Sequence, residues 1–234
     1  MNAASGDEPQ SPDPVTEAPG KRLLMDAALR LGARNRSLGS LGLRELAREA
    51  GLNPNTFYRH FKDVDDLGLA IIRGIASQLR QPLRDLRREA AARAVQGGEA
   101  SPMLMGIDLG RGRRVCHETV QLFFDFVDGH AEAFIIGVRE LHGASPVLRA
   151  ALAEVMEDFA ADMAEDVRAF KLLPTRVAEP VVRRVSRLVS RNLFQLSLDY
   201  IGEPERRTAI RAEAEEQVLF LFTGASVLQV VGAV

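Results

Sequence analysis

Between Leu43 and Phe61 the sequence spells two helices separated by one glycine, and little else can be folded from that spacing. Leu43, Leu46, Ala47 and Ala50 fall at i, i+3, i+4 and i+7, one apolar stripe along a helix. Gly51 stands where a helix end wants a left-handed residue. Asn53 follows as an N-cap, with Pro54 at the first helical position, where its missing N–H costs nothing. Ser40 is the expected cap of the helix before the glycine, and Asp63 the expected cap of the helix after the pair. Helix, tight turn, short helix is the helix-turn-helix layout.

Side-chain direction decides what such a pair can do. At about 100° per residue, Phe57 and Phe61 share one face of the short helix and can plug into the stripe of its neighbour. Asn55, Tyr58, Arg59 and Lys62 gather on the opposite face, with Thr56 and His60 at one flank. An amide, a phenol, a guanidinium and an ammonium on one face are groups that reach base edges and phosphates. A helix of about two turns also suits insertion into a major groove about 12 Å wide.

Charge supports the same reading once it is resolved along the chain. The 234 residues carry a net charge of only −2. Residues 21–62, however, hold nine Lys or Arg against Asp26, Glu45 and Glu49, while residues 1–20 hold four acids and no base. A basic block inside an acidic chain points to a local polyanion contact.

The remaining sequence reads as helix throughout. Alternating strand patterns are missing, and β-branched residues are scattered. A first helix is expected over 20–34, a fourth from Asp63 through Leu79, and others near 113–128, 131–141, 146–171, 176–201 and 205–231. Pro82 is expected to kink or end the fourth helix. The glycine-rich stretch 96–112 reads as a long mobile connection. The fold class is therefore all-α: an N-terminal three-helix helix-turn-helix domain over 20–65 and a larger helical domain over 66–234, preceded by an acidic disordered tail over 1–19.

Other classes find less support. The one cysteine, Cys116, precludes an intramolecular disulfide framework and suits a reducing, cytoplasmic compartment. The acidic N-terminus does not read as a signal peptide, and the uncharged stretch 217–234 is interrupted by Gln217, Thr223, Ser226 and Gln229, so it reads as a packing helix and not a membrane anchor. "CHETVQ" (116–121) nearly spells a zinc-protease string, but Gln121 stands where the second histidine is required. His117 and Glu118 are sequence neighbours and splay apart on a helix. No catalytic residues, metal or cofactor are expected.

The string "LRELAREAGLNPNTFYRHFKDVDDLGLAI" resembles the DNA-binding domain of the TetR family of bacterial repressors, through Leu46-Ala47, Ala50-Gly51, Thr56-Phe57-Tyr58 and His60-Phe61. Within that family it looks most like the FabR-like and DesT-like repressors of unsaturated fatty acid synthesis, with a weaker likeness at "FIIGVRELHGASPVLRAA" (134–151). The resemblance implies a homodimer that reads an inverted-repeat duplex and a helical body that senses a small molecule, in that group a long-chain acyl thioester. By position it implies phosphate contacts from Tyr58, His60 and Lys62. Asn55, Thr56 and Arg59 would lie nearest the bases, and Arg44 would touch backbone or an outer base.

The body offers its own candidates. Phe123, Phe126, Phe134 and Ile135 on adjacent helices could line an apolar effector pocket, and Arg139 could neutralise an acidic ligand group or pair with a nearby carboxylate such as Glu140 or Glu132. Ordinary core packing would place the same aromatics. Val181, Val185, Leu188, Val189, Asn192 and Leu196, with Val218, Leu221, Phe222, Ala225 and Gln229, give the last two helices long apolar faces suited to pairing two copies. The rival readings are a lipid or acyl-carrier binding protein with a vestigial head, and a DNA-binding regulator without a ligand.

Overall fold

The computed structural model describes residues 18–34, 37–96, 103–104 and 106–233. Most of the expected acidic tail, 1–17, lies outside the described residues. The helices are α1 (Pro19–Ala33), α2 (Leu43–Glu49), α3 (Phe57–His60), α4 (Val64–Gln96), α5 (Leu109–Gly129), α6 (Ala131–Leu141), α7 (Pro146–Ala169), α8 (Glu179–Gly202) and α9 (Arg207–Val230). A small helical head is followed by a larger helical body, the all-α architecture that the periodicity dictates.

Local chemistry explains most boundaries. Asn53 accepts a hydrogen bond from the Asn55 N–H at 2.9 Å and starts a 3₁₀ turn, Pro54–Thr56, that runs directly into α3. Gly51 has φ +68°, a conformation that costs glycine nothing and other residues a steric clash. Asp63 accepts from the Asp66 N–H at 2.8 Å, and the Asp66 carboxylate accepts in return from the Lys62 N–H at 3.0 Å, so the start of α4 is capped from both sides.

Four sequence expectations are corrected. Ser40 does not cap α2: it closes a 3₁₀ turn, donating to the Ser37 carbonyl, and α2 starts behind Gly42 without a side-chain cap. Lys62 does not share the helical face of Asn55 and Arg59, because Phe61 is already extended (φ −139°, ψ 143°) and ends the helix. Pro82 does not end α4, which continues for fourteen residues beyond it, where Arg84 and Arg87 pair with carboxylates of α7. The stretch 96–112 is only partly a connection. Met103–Leu104 pairs antiparallel with Ile107–Asp108, and Asp108 caps α5 by accepting from the Arg111 N–H at 2.8 Å. Residues 97–102 and 105 lie outside the described residues.

Head and body share one core. Leu24, Leu38, Leu46, Phe57, Phe61 and Leu67 pack in the same cluster as Ile136 of α6 and Leu148 and Leu152 of α7. Gly68 lets α4 approach that junction closely, since a Cβ there would lie 2.8 Å from buried Leu148. Glu140, 2% exposed, accepts from the Leu38 N–H at 2.6 Å and ties α6 to the turn before α2. A second cluster joins α4, α5, α6, α8 and α9 around Phe124, Val185, Leu193 and Tyr200.

Candidate functional site

The short helix of the head is sorted as its sequence requires. Phe57 is fully buried and Phe61 nearly so, their ring centroids 5.8 Å apart, and they fill the space between α1 and α2. Tyr58, one residue on, is 65% exposed and stands edge-on to Phe57. Asn55, Arg59, Lys62 and Arg44 are exposed, and Thr56 is half-buried. Sequence reasoning grouped His60 with the flank of this face. Its half-buried imidazole lies against the start of α1, where a Cβ on Gly20 would come within 2.7 Å of Nε2.

The basic charge of the head divides into two kinds. Arg30 bonds Glu49 at 3.1 Å and braces α1 on α2, so it belongs to the scaffold. The Lys21 ammonium sits 5.9 Å over the Phe61 ring. Arg44, Arg48, Arg59 and Lys62 make no side-chain ion pair among the described residues and remain exposed. Arg48 is a further exposed base, in the last turn of α2.

The body holds an apolar cavity beneath the head, with a volume of about 110 Å³ for the centres of water-sized spheres. Phe123 and Phe134 line it, as the sequence suggested, with their rings 5.6 Å apart and edge-to-face. Phe126, Ile135 and Arg139 do not line it. Phe126 stacks on His130 at 3.9 Å, on the next turn of α5. Ile135 is half-buried on another side of α6 from Phe134. Arg139 donates to the Gly32 and Ala33 carbonyls at 3.0 and 3.2 Å, satisfying the open end of α1.

α4 supplies a long wall of the cavity through Ile72, Ile75, Leu79, Leu83 and Arg87, and Leu38 of the head reaches it too. The helix whose first turns sit in the head core thus touches the cavity directly. Further along, α4 and α7 are joined by an ion-pair ladder. Arg80 binds Asp158 and Asp162, Arg84 binds Asp162 and Glu165, and Arg87 binds Asp166. A hydrogen bond to Asp162 holds the Arg80 guanidinium above its ordinary value; burial holds Arg87 below its own, against the pull of Asp166. Sequence reasoning missed this ladder, although arginines at 80, 84 and 87 face carboxylates at 158, 162, 165 and 166 with matching helical spacing.

The last two helices are only partly free. Val185, Val189 and Leu196 of α8, expected on a pairing face, are buried in the chain's own core against α5. The large apolar residues left exposed there are Leu188 on α8 and Phe220 and Leu228 on α9, at 49, 66 and 46%. Asn192 is bonded to Gln217 between the two helices. Among the described residues no helix is long and apolar enough to cross a membrane, and no group of three His, Cys, Asp or Glu could hold a metal ion.

The head is a helix-turn-helix with its polar side chains sorted to one exposed face, set on a helical body with an apolar cavity. Residues 24–71 match the family described as bacterial regulatory proteins, tetR family. Solved structures share the fold over most of the chain. The fatty acid degradation regulator FadR from Bacillus halodurans superposes with a TM-score of 0.63 at 14% identity, over 88% of this chain and 96% of that one. FadR from Bacillus subtilis, in complex with stearoyl-CoA, gives 0.56 at 14% identity over 86% and 96%. SmeT in complex with triclosan gives 0.62 at 14% identity over 88% and 90%. At such identities the likeness is one of fold.

Proposed function

We propose that this chain is a transcriptional repressor of the tetR family, acting as a homodimer and controlled by an apolar, lipid-like effector such as a long-chain acyl thioester. One observation carries the reading: α4 is at once part of the head core, through Leu67 and Ile71, and a wall of the cavity, through Ile72, Leu79 and Leu83. An occupant that prefers one position of α4 biases the spacing of two heads, and a duplex that prefers another spacing binds less well.

Asn55, Thr56 and Arg59 read bases in this account. Tyr58, Lys62, Arg44 and Arg48 hold phosphates, and His60 orients the start of α1 beside them. Dimerisation joins Leu188, Phe220 and Leu228 to the same residues of a second copy, and the operator is an inverted repeat. The apolar lining favours an acyl chain, and the fold shared with FadR bound to stearoyl-CoA supports that class.

The test is fluorescence anisotropy on a duplex carrying the preferred sequence, with and without added acyl thioester, together with mass spectrometry of lipid that co-purifies. Release from DNA by the thioester supports the reading. Weak, sequence-independent DNA binding with abundant lipid would favour a carrier protein, and tight binding indifferent to lipid would favour a regulator without a ligand.

A further inference from the structure

A second apolar cavity lies against the first, bounded by Ile107, Val115, Cys116, Leu173 and Phe222 among others. The two share four wall residues: Arg87, Thr119, Met163 and Leu193. Two of the four are polar and both are buried, Arg87 at 4% and Thr119 at 8% exposure. The wall between two greasy chambers therefore carries the hydrogen-bonding groups that both can use.

The bonds of those groups define what is still open. Thr119 donates its hydroxyl hydrogen to the Val115 carbonyl at 2.6 Å. Arg87 donates Nε to Asp166 Oδ2 at 2.7 Å, with Nη2 2.6 Å from the same oxygen. Asp166 itself lines neither cavity. The remaining nitrogen, Nη1, makes no hydrogen bond among the described residues, yet it is not among the sealed side-chain atoms that lack a partner. Arg87 lines both cavities, so a nitrogen there left without an acceptor is a donor that a ligand can satisfy.

Charge decides what kind of acceptor. Four carboxylates of α7, Asp158, Asp162, Glu165 and Asp166, face three guanidiniums of α4. The positive charge of Arg87 is already met by Asp166, and the carboxyl group of Glu140 also lines the larger chamber. A ligand carboxylate brought to Arg87 would be desolvated with negative charge in excess around it. A ketone, ester, thioester or hydroxyl oxygen meets the same N–H without that cost.

Building on the effector cavity proposed above, we infer that its occupant is an uncharged amphiphile whose hydrogen-bond acceptor sits on Arg87, with an apolar arm in each chamber. A ketone or an ester with an alkyl arm on each side belongs to this class; a free fatty acid does not, and an acyl thioester fits only through its carbonyl and acyl chain, with its charged carrier left outside both chambers.

The test is displacement of Nile red from the full chain by four eleven-carbon probes: undecane, undecan-6-one, undecan-6-ol and undecanoate at pH 8. The ketone and the alcohol are expected to bind about tenfold more tightly than undecane, and undecanoate less tightly than the ketone. Because Arg87→Met alone strands a buried carboxylate, the comparison variant is the pair Arg87→Met with Asp166→Leu. It should bind the ketone no better than undecane while keeping undecane binding. Tighter binding of undecanoate than of the ketone, or an undiminished ketone preference in the double variant, overturns the assignment. Equal binding of all four probes removes the assignment but leaves the cavity as an effector site. Failure of every probe to bind removes the effector cavity itself.

Discussion

Arg87 of α4 and Asp166 of α7 form an ion pair at 2.6 Å with both side chains only 5% exposed. They anchor the far half of the helix that passes from the head into the body. Removing one partner leaves the other buried and uncompensated, so Asp166→Ala should lower stability by about 3–5 kcal/mol. Replacing both, Arg87→Met with Asp166→Leu, should recover most of that loss. Chemical denaturation of the three proteins checks both statements.

The turn of the head is set by two residues. Gly51→Ala forces a Cβ into φ +68° and should destabilise by about 1–2 kcal/mol. Asn53→Ala removes the acceptor for Asn55 N–H and should cost about 1 kcal/mol. Thermal unfolding followed by circular dichroism reads each effect, and a neutral Gly51→Ala would contradict the left-handed turn.

Gly68 marks the closest approach of α4 to α7. A Cβ there would sit 2.8 Å from Leu148 and 3.2 Å from Leu38, both fully buried, so one of these side chains must shift. Gly68→Ala should therefore cost about 1–3 kcal/mol through overpacking. The same change should disturb DNA affinity, because it pushes the head away from the body.

Cys116 is 8% exposed, and burial, reinforced by Glu215, pushes its thiol up to about 12. The native state thus favours the protonated form. The stabilisation is complete below the ordinary thiol range and is lost as pH climbs from about 9 toward 12, because the unfolded chain ionises first. Stability of the wild type should fall by about 1 kcal/mol per pH unit across that window from this group alone. Cys116→Ala should flatten the slope by that amount in denaturant titrations.

Much of this was legible in the residues themselves. Gly51, Asn53, Pro54 and Asp63 state the turn and its caps in local chemistry, and Phe57 against Tyr58 states the facing of α3 through helical period alone. What escaped depends on contacts distant in the chain. Arg139 looked like a ligand anchor, and only the packing of α6 beside α1 shows it satisfying the Gly32 and Ala33 carbonyls. Pro82 reads as a kink or an end, yet α4 continues past it, with arginines on both sides of it bound to a helix about eighty residues away. Val185 and Val189 carry an apolar pattern that cannot say whether the partner is α5 of the same chain or a second copy.

Two buried phenyl rings, Phe57 and Phe61, hold the short helix whose outer face is proposed to meet a duplex. Selection of bound duplexes from a random pool, run in parallel with wild type and Arg59→Ala, tests it most directly. The expected result is an inverted repeat with half-sites about 34–36 Å apart or slightly more, and a variant that loses about 1–3 kcal/mol of base preference at one position of each half-site. Recovery of no common sequence, or identical sequences and affinities for the two proteins, would contradict it.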